Sequence, residues 1–582
     1  MSTVLNGLAS QMPIHRFLSE YMIRSGFLDH YGWSPESQAL LVEEVGHLID
    51  TGEIVVEPDP LQKAIVTNAG TKLTSMYKVC YEPKPLRHGS RAQGMPRCVD
   101  EEMEFFNNTK WHLNKVMLGL LSSSESEHVA TMIGKVPGFL VAAEEAAGGF
   151  YCPVFYDRVL RSYHEGIFSP TGSKMVRACL DMEPHPYTVP QARAILTLHG
   201  LDWRNADDFL ANWEKRVQTE EDFYTLRLFV FLKEVEETGR SGFTGNGDIT
   251  TSGPLLGGIA ALDWSMLLDA NLGEEDRRDC RETIARRIVI PPVLQGWASF
   301  ICSKAAAKPL ITRLYYGEAA SSGADGMLWE DPKRAPLGWR SQFGVINESV
   351  VIKASDKWND DYRPMINALG PKAAHAAFKA VSESYNGTFW KSYPKIRELR
   401  QRLSKAFEAA KKEGVEPYFE APDGAVYTHH KWELDHESKG RWRFRHQSPK
   451  LTAWKHGIDI SLQDMIDVAG AHSLFVRIVH FLDAWFKRRV ARKVRQIQKK
   501  ILGKALGMGA VHDCFIVPGW MLPKLHNIVR SVMHEAVELI PKKINEFLVR
   551  YGQEPVDPMT DRQRRDIHRN IRNNAGFLKI AA

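Results

Sequence analysis

Two aspartates in strand-like settings constrain this chain more than any other feature. Asp248 ends the short, glycine-punctuated stretch Phe243 to Asp248, which runs into a small-residue turn, Ile249-Thr250-Thr251-Ser252-Gly253, and then an apolar helix. That pattern predicts a strand end presenting an acid at the lip of a sheet. Asp513 lies in Val511-His512-Asp513-Cys514-Phe515. The surrounding segment, Gly507 to Pro518, reads as strand, tight turn, strand with the acid at the bend, and a helix follows from Met521. Elsewhere helical periodicity dominates, over 99–121, 201–237 and 294–317. The expected fold class is an α-rich α+β chain whose few strands carry the acids.

Bulk properties leave that fold free to be an ordinary globular one. The 582 residues are 44% apolar and 25% charged, material for roughly two to four subdomains. A net charge of +5 permits a polyanionic partner without demanding one, so any nucleic-acid argument rests on where the charge sits. The seven cysteines include no C-x-x-C pair, which argues against a zinc site or a disulfide framework and suits a reducing compartment. Met1 to Leu18 lacks a basic region followed by an apolar run, and no apolar stretch reaches ~18 residues. The expectation is a soluble cytoplasmic protein with no membrane partner. Residues 1–98 read as a small separate unit. Within it, Ser34 caps a helix with Pro35 in its first turn, Ile54 to Val56 form a strand, and a proline-rich connector runs near 83–96.

A pair of aspartates on a rigid sheet is a donor set that hard cations use. Magnesium takes oxygen ligands in a tight octahedron, so one or two aspartates plus phosphate oxygens suffice. Two such ions about 3.5–4 Å apart activate a hydroxyl and stabilise a leaving pyrophosphate. Lys304, Lys308, Thr312 and Tyr316 recur every four residues, one drifting helical face whose ammonium groups can hold a triphosphate. Pro309 follows Lys308; a proline inside a helix costs ~3 kcal/mol and kinks it, so a bend is expected there.

Asp-x-Thr-x-Ser-Gly at 248–253, then Lys304 and Lys308 with Tyr316-Gly317, then His-Asp-x-Phe at 512–515 resembles, in order and content, the single-subunit DNA-directed RNA polymerases of phages and mitochondria, here in a compact form. Asn108-Thr109-Lys110-Trp111-His112-Leu113-Asn114 resembles an Asn-Thr-x-Trp-x-x-Asn segment between thumb and palm in that family. Tyr156-Asp157-Arg158 through Arg161 and Tyr163 resembles its Asp-x-x-Gly-Arg element, with Leu160 in place of the glycine. His472-Ser473 resembles the histidine that hydrogen-bonds the ribose 2′-hydroxyl. The matches span 105 to 518 with gaps.

The resemblance implies a right-hand architecture: a reduced N-terminal domain at 1–98, thumb-like helices at 99–150, a first part of the palm at 151–265 and fingers at 266–425. Residues 426–582 would supply a specificity-type hairpin, the second part of the palm and a C-terminal segment. It further implies two Mg2+ ions held by Asp248, Asp513 and the carbonyl of Ile249. Lys308 would be the principal triphosphate ligand and proton donor to pyrophosphate, and Lys304 stands where the family commonly has arginine. Tyr316 would gate the nucleotide, Gly317 would allow close packing beside it, Arg161 would contact template and hybrid, and His472 the ribose. Related DNA polymerases place a glutamate five residues after the first acid, which excludes a 2′-hydroxyl, and tend to have another after the second acid. Here those positions are Gly253 and Cys514, which favours ribonucleotides.

Two further segments suggest nucleic-acid contact. Trp432-Glu433, a turn at 435–440 and Arg441-Trp442-Arg443-Phe444-Arg445 read as a hairpin with Arg441, Arg443 and Arg445 on one face. Such a basic ribbon can enter a major groove, and it occupies the place of the family's specificity hairpin. Phe486 to Lys500 holds eight Lys/Arg residues, among them Lys487, Arg488 and Arg492, and reads as an inserted amphipathic helix laid along a phosphate track. A third basic cluster spans Arg562 to Arg572. The expected partners are a DNA template, the RNA product and ribonucleoside triphosphates. With 247 residues before Asp248, fewer than in phage relatives, dependence on an accessory transcription factor, a single-stranded-DNA-binding protein or melted DNA is also expected. Two alternatives remain at this point: a DNA polymerase or primase of the same superfamily, and a non-catalytic nucleic-acid-binding protein with that fold.

Overall fold

The computed structural model describes residues 97–136, 139–152, 154–156, 159–164, 166–273, 278–315, 320–330, 358–429, 432–434, 442–443, 465–467, 470–511, 513–573 and 578–581. The expectations at Ser34, at Ile54 to Val56 and at the proline-rich connector lie outside the described residues. The chain is α-rich and mixed α+β. Its described strands, in chain order, are β1 (Lys110–Leu113), β2 (Phe150–Tyr151), β3 (Val154–Tyr156), β4 (Ser162–His164), β5 (Leu180–Pro186), β6 (Arg240–Ile249) and β7 (Tyr418–Glu420). They continue as β8 (Val426–Thr428), β9 (Trp432–Leu434), β10 (Trp442–Arg443), β11 (Met465–Asp467), β12 (Gly509–Val511), β13 (Cys514–Pro518) and β14 (Leu578–Ala581).

One seven-stranded sheet organises the molecule, in the order β12-β13-β6-β5-β1-β2 with β14 also paired to β6. The sequence reading missed β1, because Val99 to Leu121 carries helical periodicity on both sides of it. Arg97–Asn107 forms helix α1, then Lys110–Leu113 turns extended and pairs with β5 before helix resumes at Lys115. The hairpin expected at Gly507 to Pro518 is present as β12 and β13, and β13 runs antiparallel to β6. The later hairpin is seen in part: β9 pairs with β10, Arg443 opposite Glu433, and β11 adds a third strand. Arg441 and Arg445 lie outside the described residues.

Six more helices matter for the site: α2 (Asp222–Thr238), α3 (Ser252–Ala261), α4 (Cys280–Ala285), α5 (Lys304–Tyr315), α6 (Leu474–Leu502) and α7 (Leu522–Arg550). α6 and α7 have 29 residues each, about 43 Å of rod at 1.5 Å per residue. They pack on each other and on α3, which follows β6. Gly245 and Gly247 explain how α7 lies so close to β6. A Cβ at Gly245 would overlap Leu522, and one at Gly247 would stand 2.6 Å from the Leu525 side chain. Because strand residues alternate in direction, Thr244, Asn246 and Asp248 project to the opposite face.

α5 continues through Pro309 to Tyr315 as one helix; Ala305, whose carbonyl loses its partner, is exposed and open to water. The basic run from Phe486 to Lys500 is the C-terminal part of α6 and is amphipathic, with Arg492, Lys499 and Lys500 exposed. Lys487 and Arg488 lie on its buried side, only 2% and 3% exposed, which corrects the expectation that these two contact nucleic acid. Lys487 donates to the Ser162 carbonyl at 3.3 Å, and Arg488 forms an ion pair with Asp423 at 2.7 Å. The six described cysteines are free thiols. Among the described residues no helix is long and apolar enough to cross a membrane.

Candidate active site

The two aspartates singled out from sequence meet across neighbouring strands. Asp248 is the penultimate residue of β6, and its register partner on β13 is Cys514, immediately after Asp513. The Ile249 amide donates to the Asp513 carbonyl at 3.0 Å. Both acids are partly buried. Burial, then the charges of Asp483 and Asp248, push the Asp513 carboxyl up to about 7, while a hydrogen bond from the Ser252 side chain pulls the other way. A buried acid with like charges beside it is a place where a cation would relieve the repulsion.

The turn between β6 and α3 fixes this arrangement. Thr251 adopts a left-handed conformation, φ 55°, which costs a β-branched residue roughly 1–2 kcal/mol and folds Ser252 back toward Asp513. Asn271 holds the turn, donating to the Thr250 hydroxyl at 2.8 Å while its own oxygen accepts from the Arg278 amide at 2.7 Å. Position 253 is open: a Cβ there would meet nothing within 4 Å.

Asp483, on α6, was missed. It is 5% exposed and forms an ion pair with Arg161 at 2.9 Å. The signal was available, since an acid inside the apolar run Leu474 to Phe486 must be partnered. Arg161 follows Leu160, which holds φ 57°, the left-handed conformation that glycine adopts without strain. The leucine at the glycine position of the Asp-x-x-Gly-Arg pattern thus keeps glycine's backbone. Asp157 and Arg158 lie outside the described residues.

α5 docks beside the acids through its C-terminal end. The Tyr315 hydroxyl donates to the Gly253 carbonyl at 2.9 Å, and a Cβ at Gly257 would overlap that hydroxyl. Lys308 stands two turns before Tyr315 and so on a similar face; it is exposed. Lys304 is placed differently from expectation. Its ammonium pairs with Asp279 at 2.7 Å and with Glu282 of α4 at 3.7 Å, because α4 packs against the start of α5. Tyr316 and Gly317 lie outside the described residues.

The remaining candidates fall elsewhere. His472 sits exposed in the turn before α6, eleven residues ahead of Asp483. His480, one turn before Asp483, is the buried histidine of that helix. Arg492 is bound to Glu101 of α1 at 2.9 Å.

The donor set of Asp248 and Asp513 is all oxygen and suits magnesium, which completes its shell with water and phosphate; the Ile249 carbonyl follows Asp248 in the chain. Among the described residues no group of three or more His, Cys, Asp or Glu side chains forms a ready-made metal cage; Asp483 is turned to Arg161 instead. No protein-family model matches the chain, and no curated protein matches it.

Proposed function

We propose that the protein is a nucleotidyltransferase that synthesises RNA on a DNA template, of right-hand polymerase architecture with the seven-stranded sheet as its palm. The observation that carries this reading is the meeting of Asp248 and Asp513 at adjacent strand positions, 265 residues apart in sequence, with an acid repelled by its neighbours. Asp248 and Asp513 hold the cations, and Lys308 faces the triphosphate. Magnesium, when bound there, would supply activation of the 3′-hydroxyl and neutralisation of the leaving pyrophosphate. The chain's own contribution is positioning and fixed charge, with no covalent intermediate. Open space at Gly253 leaves room for a ribose 2′-hydroxyl, which supports ribonucleotides over deoxyribonucleotides. Arg161, ion-paired with Asp483, is the residue assigned to template or hybrid in this reading. The basic hairpin around Arg443 is part of the same proposal.

The test is incorporation of labelled rNTPs and, in parallel, dNTPs on single-stranded, bubble and duplex templates, with and without Mg2+. Magnesium-dependent incorporation of rNTPs in preference to dNTPs is the expected result. Preference for dNTPs would move the protein to the DNA polymerases, and inactivity on every template would leave a binding protein.

A further inference from the structure

We propose that Lys579 is a phosphate-binding residue of the Asp248–Asp513 site, contacting a phosphate of the nucleotide or nucleic acid handled there. This rests on the polymerase reading above and adds a residue that carries no sequence signal of its own.

β14 pairs antiparallel with β6, with Lys579 directly opposite Asp248 and Leu578 opposite Ile249. Directly opposed residues project to the same face, with Cβ atoms about 4.5–5.5 Å apart. Side-chain packing agrees independently. Leu578 is 3% exposed and lies with Leu525 of α7 on the side where a Cβ at Gly247 would point. Lys579, one residue on, therefore faces the other way, with Asp248. Cys514, Asp248 and Lys579 form one row across three strands, with Cys514 buried at one end and Lys579 exposed at the other.

The charge in that row is unspent. Lys304, Lys487 and Arg488 are engaged by carboxylates or a backbone carbonyl, whereas Lys579 makes no ion pair among the described residues. The Asp248 and Asp513 carboxylates repel a polyanion, and an exposed cation on the neighbouring strand offsets that repulsion where the ligand arrives. An ammonium on a flexible stem is a compact point charge suited to phosphate oxygens.

The test uses the full chain as wild type, Lys579→Gln and Lys579→Arg. Equilibrium binding of a mant-labelled ATP with Mg2+, and of a fluorescein-labelled RNA–DNA hybrid, is measured for each, since both can be read without turnover. Lys579→Gln is expected to weaken one of the two roughly tenfold, the size of one charge-assisted hydrogen bond. Its Tm should be unchanged, and Lys579→Arg should restore most of the loss. Weakened mant-ATP binding places the phosphate on the incoming nucleotide, and weakened hybrid binding places it on the nucleic-acid backbone. Unchanged binding of both overturns the proposal. So does a lower half-saturating Mg2+ concentration as the sole change, the mark of a lysine that merely offsets Asp248. Failure of the polymerase reading shows separately, as absent incorporation by the wild type.

Discussion

The amide of Ile249 is hydrogen-bonded to the carbonyl of Asp513 at 3.0 Å, so the residue after one acid is tied to the backbone of the other. The backbones that carry the two carboxylates are thereby held in register. Constellations held on sheet elements keep their geometry better than those on loops, and here the sheet is backed by α7 through Gly245 and Gly247.

Open space at position 253 gives the first prediction. Gly253→Glu should fold, because a Cβ there meets nothing within 4 Å. Its carboxylate would occupy the volume proposed for the ribose hydroxyl. Relative use of rNTPs over dNTPs should fall at least about tenfold, the discrimination that one group in a shaped pocket supplies. Competition assays with paired nucleotides read this directly.

Asp483 and Arg161 form a buried pair, 6% and 15% exposed. Asp483→Asn removes the carboxylate paired with Arg161 but also relieves its repulsion of Asp513. It should therefore destabilise the chain in chemical denaturation by less than the ~3–5 kcal/mol of an isolated buried pair. Arg161→Gln combined with Asp483→Asn should cost less than the sum of the single changes, a coupling of about 1–3 kcal/mol.

Burial pushes the His164 imidazole down to about 3, with the Lys487 ammonium adding to the effect. Its ring nitrogen accepts from the Ala510 amide at 3.2 Å. The unfolded chain takes up a proton near pH 6.5 while the folded chain does not, so stability is full above that pH and declines as pH falls from about 6.5 toward 3. The slope from this group is about 1.4 kcal/mol per pH unit. The Asp513 carboxyl, pushed up to about 7, takes up a proton in the folded chain over the same range and opposes this slope. The expected readout is therefore a difference: the stability of wild type relative to His164→Gln should fall from pH 7.5 to 6 to 5. An equal decline in the variant would place the acid sensitivity elsewhere.

Asp513→Asn removes a carboxylate that burial and two like charges disfavour. Nucleotide incorporation should drop below detection while template binding persists, and the metal-free Tm should equal or exceed that of wild type. Loss of both folding and binding would mean the side chain is structural.

The acids were legible because their surroundings carry short-range signals: glycines and small residues where β6 ends, and a turn between two apolar strands at Asp513. Asp483 was harder to see, since its place depends on how a long helix crosses a sheet built from distant segments. The basic run of α6 misled for a physical reason. Lys487, Ala491, Val494 and Gln498 follow helical spacing and are all buried, so Lys487 lies on the apolar stripe despite its charge. Counting lysines and arginines registers the charge but not the face. Lys304 was read as a ligand for phosphate because its acidic partners, Asp279 and Glu282, come from a separate helix. β14 carries no pattern of its own; only its pairing with β6 brings Lys579 to the acids.

Cleavage directed by Fe2+ in place of Mg2+ tests most directly whether Asp248 and Asp513 share a cation. With ascorbate and peroxide, a bound iron should cut the backbone of the wild-type chain near both 246–250 and 511–515. Asp248→Asn or Asp513→Asn should abolish both cuts together. Cutting at one segment alone, or cuts that survive either substitution, would contradict a common centre.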